Sequence, residues 1–357
     1  MGAFRGDLRC YGRFAGPDIG EGEFMKIVLP GGTGHIGEFL SRELAASGHE
    51  VVVLSRRDDL ALGPGVRHVH WDGRSLGAWA AELDGCDAVL NLAGRSVSCR
   101  YTPRNLRAMM NSRVDSTRAV GAAIERAADP PPVWLQMSTA TIYAHRFDVA
   151  NDEATGIIGG TEADVPGYWA FSVDIAKAWE EAQQQAETPH TRKVALRTAM
   201  VMSPGRGGIF DMLLRMVRLG LGGPVAGGAQ FVSWIHDRDM LRAIEFLLER
   251  DDLHGPVNLA APNPLPHREF MRTLRAARGI PFGLPATAWM AEIGAFVLRS
   301  DTELLLKSRR VIPGVLLDQG FSFDHPHWPD AAHELVRRTR RGSLSKSVAG
   351  TTSERRQ

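Results

Sequence analysis

From Met25 onward, short apolar runs alternate with longer stretches whose apolar residues recur every three or four positions. The short runs are Lys26–Pro30, Glu50–Ser55, Arg67–Trp71, Asp87–Asn91, Val133–Ser138 and Lys193–Thr198. Continuous runs such as VVVL fit strands buried on both faces. The longer stretches are Gly34–Ser47, stopped by Gly48, then Pro103–Ala127 and Ala170–Glu187. Strands alternating with helices imply right-handed crossovers and a parallel sheet covered on both sides. The predicted fold class is α/β, a Rossmann-type doubly wound parallel sheet over residues 25–203, open to a strand from later in the chain.

After Ser203 the texture changes. PGRGG and LGLGGPVAGGAQ read as loops flanking a helix, Phe210–Leu219. QFVSWIHDRDM reads as a strand running into a helix, with Asp237 or Asp239 as N-cap. Val257–Ala260 is a short strand and His267–Arg278 an amphipathic helix. The rest, to Val336, is helical with proline breaks. This predicts a smaller C-terminal α/β substrate lobe over residues 204–336. It would sit at the carboxyl edge of the sheet, where open α/β sheets bind ligands. Residues 1–24 are rich in glycine and charge, lack an apolar signal core, and read as a disordered extension. Residues 337–357 read as a disordered, solvated basic tail.

Charge narrows the partners. A net charge of +1 gives no reason to expect nucleic acid, and no apolar run approaches the ~18 residues of a membrane span. The three cysteines lack CxxC spacing, which fits a reducing, cytoplasmic setting without disulfides or a zinc site. The expected partner is a small-molecule substrate; a homodimer stays open.

The candidate chemistry starts at the first strand-to-helix turn. Gly31, Gly34 and Gly37 stand in GxxGxxG spacing within Gly31, Gly32, Thr33, Gly34, His35, Ile36, Gly37. Gly31 would permit the tight turn, Gly34 the approach of a pyrophosphate, and Gly37 close packing of helix on sheet. The helix start would present amides and its positive dipole end to phosphates. The second strand ends in Ser55, Arg56 and Arg57, with no carboxylate for a ribose 2′-hydroxyl. Guanidiniums suit a 2′-phosphate, so the expected cofactor is NADP(H). The alternative is that both arginines are only solvated loop charges. Asp72 follows the third strand, where an adenine edge could be read. Leu92, Ala93 and Gly94 end the fourth with small residues that could run under a ribose or nicotinamide.

GGTGHIG, NLAG, STATIYA and SWIHDRD occur in the order of the extended short-chain dehydrogenase/reductase superfamily, of NAD(P)-dependent epimerase/dehydratase type. RLGLGGPVAGGAQFVSWIHDRD and the C-terminal WMAEIGAFVLRSDTELLLKSRRVIPGVLLDQGFSFDHPHWPDAAHEL resemble its "epimerase family protein" subfamily, the 39U type, with that subfamily's C-terminal domain of unknown function. The resemblance implies a Rossmann domain, NADP(H), and oxidoreductase or isomerase chemistry. It places Ser138 in the cofactor wall and Thr139 at the hydroxyl residue that polarises the substrate oxygen. The superfamily's Tyr-x-x-x-Lys pair is missing. With Glu180 aligned to that helix's usual acidic residue, Ser172 takes the tyrosine position and Ala176 the lysine position. Tyr143, His145, Tyr168, Asp174, Lys177 and His236 are the candidate substitutes, with packing the competing role for Tyr143 and His236. His325 and His327, in DHPHWPD, read as a structured loop rather than a metal site. Two functions follow: an NADP(H)-dependent hydride-transfer enzyme on a small polar or sugar-like substrate, or a non-catalytic NADPH-binding regulator or scaffold.

Overall fold

The computed structural model describes residues 24–287, apart from 59, 61, 98 and 164, and residues 303–353. The predicted extension, except Phe24, and part of the predicted C-terminal domain lie outside the described residues. The first half runs β1 (Lys26–Pro30), α1 (His35–Ala46), β2 (Glu50–Ser55), β3 (Val66–His70), β4 (Ala88–Asn91), α2 (Pro103–Arg126), β5 (Val133–Thr139), α3 (Trp169–Gln184) and β6 (Arg192–Thr198). The second half runs β7 (Met200–Met202), α4 (Ile209–Arg218), β8 (Phe231–Val232), β9 (Trp234–His236), α5 (Asp237–Glu249), β10 (Gly255–Leu259), β11 (Leu265–Pro266), α6 (His267–Arg278), α7 (Glu303–Leu306), α8 (Gly314–Asp318) and α9 (Trp328–Ser353).

The parallel sheet has seven strands in the order β10-β6-β5-β4-β1-β2-β3. Val51, Val52, Val53 and Leu54 are fully buried, because helices cover both faces. Strand order reverses between β1 and β4, and this switch point opens a crevice at the carboxyl edge. β10, from the second half, completes the sheet beside β6. α3 ends at Gln184, three residues before the predicted Glu187, as the chain turns toward Pro189.

QFVSWIHDRDM is not one strand. Phe231–Val232 pairs antiparallel with β11, whereas Trp234–His236 pairs parallel with β7. Ser233, between them, bonds the C-terminal segment: its hydroxyl donates to the Arg309 carbonyl at 2.7 Å and accepts from the Val311 amide at 2.9 Å. Asn151 adds amide and carbonyl bonds to Arg310 and Ile312. The chain from Lys307 to Ile312 is thus fastened to loops that follow the strands of the sheet.

The α5 N-cap is His236, not Asp237 or Asp239: its Nδ1 accepts from the Arg238 amide at 3.2 Å. Both aspartates fall in the first helical turn and are engaged elsewhere. Asp239 accepts the Asp324 and His325 amides, and Asp237 takes a two-pronged bond from Arg338. A second core, from α4, α6 and the start of α9, packs Phe210, Leu214, Trp234, Phe270 and Trp328. The Trp328 ring stacks on Phe270 at 4.0 Å and its indole N–H donates to the Phe270 carbonyl. α9 runs from Trp328 to Ser353, so its second half covers most of the basic stretch from residue 337. Trp328 and Arg338 anchor the helix, and no proline interrupts the stretch that follows.

Glu334, on α9, receives the His236 Nε2–H at 3.1 Å. Burial alone would raise its carboxyl; the His236 bond and the Arg338 and Arg238 guanidiniums more than offset that and bring it to about 2. Its stabilising effect is complete above the unfolded carboxyl's pKa of about 4.3 and is lost as pH falls from there toward 2. Glu334→Gln should flatten the acid limb of melting temperature against pH in that window. An unchanged limb would show that α9 docks without this charge.

Candidate functional site

The glycine loop is shaped by backbone contact. Gly31 adopts φ +78°, and a Cβ there would stand 2.6 Å from the Ala93 Cα. A Cβ on Gly32 would meet Val53 of β2 at 2.9 Å. Gly37 is pressed against Gly32, at 2.5 Å for an added Cβ, so it packs on the loop rather than on the sheet as expected. Gly34 is different: its Cβ direction meets only the Gly31 carbonyl, at 3.6 Å. The loop is therefore closed toward the protein and open at Gly34, where α1 begins with amides lacking intrahelical acceptors. This is the shape a pyrophosphate needs. Thr33 lies half-exposed on the loop, Ile36 packs on the main core, and the His35 ring turns toward Gly205 and Gly208.

At the end of β2, the Ser55 hydroxyl accepts the Arg57 amide at 3.1 Å and sets the turn. Arg56 and Arg57 are exposed, and among the described residues neither forms an ion pair, so both guanidiniums are available to an anion. The Asp72 carboxylate accepts the amides of Arg74 and Ser75, and these bonds lower its pKa. It shapes the turn that follows β3. At the end of β4, Asn91 bonds Gln136 and accepts the Ala93 amide, holding Leu92, Ala93 and Gly94 beside the glycine loop.

At the end of β5 the expected residues separate. Ser138 donates to Glu180 at 2.6 Å, within a buried Glu180–Arg197 pair, which turns it from the cofactor wall to the interior. Tyr143 is 2% exposed; its hydroxyl donates to Asn258 and accepts from Arg197, each at 3.0 Å. Burial raises its pKa against the partial opposition of Arg197, the reverse of what a proton-abstracting tyrosinate needs. Tyr143 is a packing residue. So is His236, fully buried with one nitrogen capping α5 and the other on Glu334, its ring stacked on His325 at 3.8 Å. His327 bonds Asn263, and no group of three metal-ligating side chains occurs among the described residues. Thr139 stays a candidate: half-buried at the strand end, its Oγ1 accepts the Thr141 amide at 3.2 Å, leaving the hydroxyl hydrogen to donate.

Ala176 is fully buried and chemically inert. Lys177 points outward to the Gly159 carbonyl, Asp174 is exposed, and Tyr168 precedes α3. His145 accepts the Ser308 amide at 2.8 Å, which makes it a brace for the C-terminal segment. Ser172, by contrast, donates to Glu303 Oε2 at 2.5 Å. Lys307, one helical turn on, lies 3.6 Å from Glu303 and donates to the Thr141 carbonyl at 2.8 Å. Arg309 reaches Thr141 Oγ1 at 3.2 Å. A continuous chain of contacts therefore links Thr139, Thr141, Lys307, Glu303 and Ser172. Sequence reasoning missed Glu303, Lys307 and Arg309; the only signal was the E-x-x-x-K spacing inside ELLLK.

A parallel sheet with a glycine-lined crevice at its switch point defines a dinucleotide-binding α/β protein. The chain belongs to the NAD dependent epimerase/dehydratase family, which residues 27–260 match; residues 286–335 match a domain of unknown function, DUF1731. It is 33% identical to the human epimerase family protein SDR39U1 over 318 residues, 87% of this chain and all of the relative. It is 28% identical to the epimerase family protein YfhF of Bacillus subtilis, over 87% of this chain and 98% of that one. A crystal structure of human SDR39U1 with NADPH superposes with a TM-score of 0.76 at 31% identity, covering 88% of this chain and 99% of the other. Among the described residues no helix is long and apolar enough to cross a membrane.

Burial lowers the Lys307 pKa, with Glu303 opposing and Arg309 assisting, to about 8. From there to the unfolded value of about 10.4 the native state has shed a proton that the unfolded state keeps, so stability rises with pH. Wild type should gain stability relative to Lys307→Met as pH rises from 8 to 10, read by urea unfolding at each pH. A constant difference would mean that Lys307 titrates as it would in solvent.

Proposed function

We propose that this protein binds NADP(H) in the crevice and exchanges hydride with a small polar or sugar-like substrate, as a reductase or redox isomerase. The observation that carries the cofactor reading is the loop: closed by backbone contact at Gly31 and Gly37, open at Gly34, with two exposed guanidiniums beyond β2 that form no ion pair among the described residues. Similarity to a human relative crystallised with NADPH supports the same cofactor.

The loop amides and the start of α1 would hold the pyrophosphate, and Arg56 and Arg57 the 2′-phosphate. When bound, the nicotinamide supplies a hydride donor or acceptor. The protein must manage the proton. Ser172 already donates to the Glu303 carboxylate. In the oxidative direction a substrate hydroxyl passes its proton to Ser172 Oγ, while Ser172 passes its own to Glu303. In the reductive direction the same two transfers run backward. Lys307 stabilises the carboxylate, and Thr139 orients the substrate oxygen with its hydroxyl hydrogen.

The buried Ala176, where the superfamily's lysine would stand, favours the rival reading of an NADPH-binding regulator. Two measurements separate the readings. Replacing Arg56 and Arg57 with glutamine should weaken NADPH by about tenfold or more per lost charge-assisted bond and NADH hardly at all; equal losses would remove the preference for NADP(H). Glu303→Gln and Ser172→Ala should each abolish NADPH oxidation over a panel of carbonyls and nucleotide sugars while sparing NADPH affinity. A wild type that binds NADPH, oxidises none of it, and changes a partner's affinity instead would establish the regulator.

A further inference from the structure

Arg113 lies on α2 with 9% of its surface exposed. One of its N–H groups donates to the Met109 carbonyl at 3.1 Å, and its guanidinium lies 4.8 Å over the Trp179 ring. Among the described residues no carboxylate forms an ion pair with it. Burial lowers its pKa to about 10, against a smaller opposing effect of Tyr101 and Cys99. A buried cation without a counter-charge is costly to the fold, and a fold that keeps one commonly holds it for a ligand.

Its position says which ligand. A Cβ on Gly94 would stand 3.3–3.5 Å from the Arg113 side chain. Gly94 continues the Leu92–Ala93 run that abuts Gly31, so the Arg113 side chain lies at the end of β4, one residue beyond the contact between Ala93 and the glycine loop. On the β5 side, Arg309 is also buried, bonded to Thr141 Oγ1 and the Glu303 carbonyl. Arg113 lies against Gly94 past the end of β4 and Arg309 against Thr141 past the end of β5, so the two arginines serve adjacent strands of the sheet although they come from opposite halves of the chain.

We propose that Arg113, with Arg309 at the end of the neighbouring strand, forms an oxyanion subsite that takes a phosphate or carboxylate group of the molecule bound in the crevice. The inference rests on the crevice being the ligand site and deepens that reading: the anion is either the nucleotide's own diphosphate or a charged group on the substrate.

Melting temperature and NADPH fluorescence titration would be measured for wild type, Arg113→Met and Arg113→Lys, with inorganic pyrophosphate alone, NADPH alone, and pyrophosphate added to the NADPH complex. Without ligand, Arg113→Met should melt at or above wild type, because it removes an uncompensated charge. Its response to pyrophosphate should disappear. If the anion is the nucleotide's diphosphate, Arg113→Met weakens NADPH by about 10–100-fold and pyrophosphate competes with NADPH. If it belongs to the substrate, NADPH affinity is unchanged, and pyrophosphate still raises the melting temperature of the wild-type NADPH complex but not of the variant's. Identical pyrophosphate and NADPH responses in wild type and Arg113→Met overturn the subsite. Should the methionine variant fail to fold, Arg113→Lys decides: a point charge in place of the fork should cut the anion response several-fold, and an undiminished response overturns it. Failure of wild type to bind NADPH would remove the cofactor reading while the pyrophosphate arm still decides this one.

Discussion

The functional edge of this molecule depends on a contact between two pieces of backbone. Gly31 turns off β1 with positive φ and lies so close to Ala93 that a side chain at 31 would occupy the next strand's exit. That contact joins the two sides of the switch point into one floor. It fixes where α1 begins, hence where its unpaired amides point, and it fixes the path of Leu92–Gly94 above Arg113. A β-carbon at 31 would force β1 and β4 apart at their carboxyl ends, and the crevice geometry would go with them.

The second half of the chain supplies what this floor lacks. Segment 307–312 is held by backbone and hydroxyl bonds to Ser233, Asn151 and His145. The charge it delivers is specific: Lys307 and Arg309 beside Thr141, and Glu303 on Ser172. A helix position that carries only a serine, next to one that carries only an alanine, thereby acquires a carboxylate and an ammonium from a distant segment. The superfamily's Tyr-x-x-x-Lys arrangement places both groups on one helix; here a serine, a carboxylate and an ammonium come from two segments brought together by folding.

This division explains what could be read in advance. The parallel sheet and the tight turn of the glycine loop were legible because each rests on a local pattern: alternation of runs, and the need for glycine where the backbone turns with positive φ. The roles of Tyr143, Ser138 and His236 were not. The bond from Tyr143 to Asn258 spans 115 residues, and that from His236 to Glu334 spans 98. A histidine that caps a helix and one that transfers a proton look alike until those partners are placed. Glu303 and Lys307 were hidden for the converse reason. Their charges read as one face of a solvated helix, and nothing in ELLLKSRR points to a serine 131 residues earlier.

The distribution of buried charge then argues about the ligand. Arg113, Lys307 and Arg309 gather at the ends of β4 and β5, and Glu303 and Glu162 are the carboxylates that act on Lys307 there. Lys307 answers burial by a lowered pKa and a neighbouring carboxylate; arginine holds its proton more tenaciously, and among the described residues no carboxylate forms an ion pair with Arg113. Packing alone gives no reason to keep a guanidinium there, since a methionine would fill similar space against Trp179 without the desolvation cost. A ligand anion gives one: the interaction strengthens when the crevice excludes water, so the charge that weakens the empty fold becomes the one that holds the occupied one.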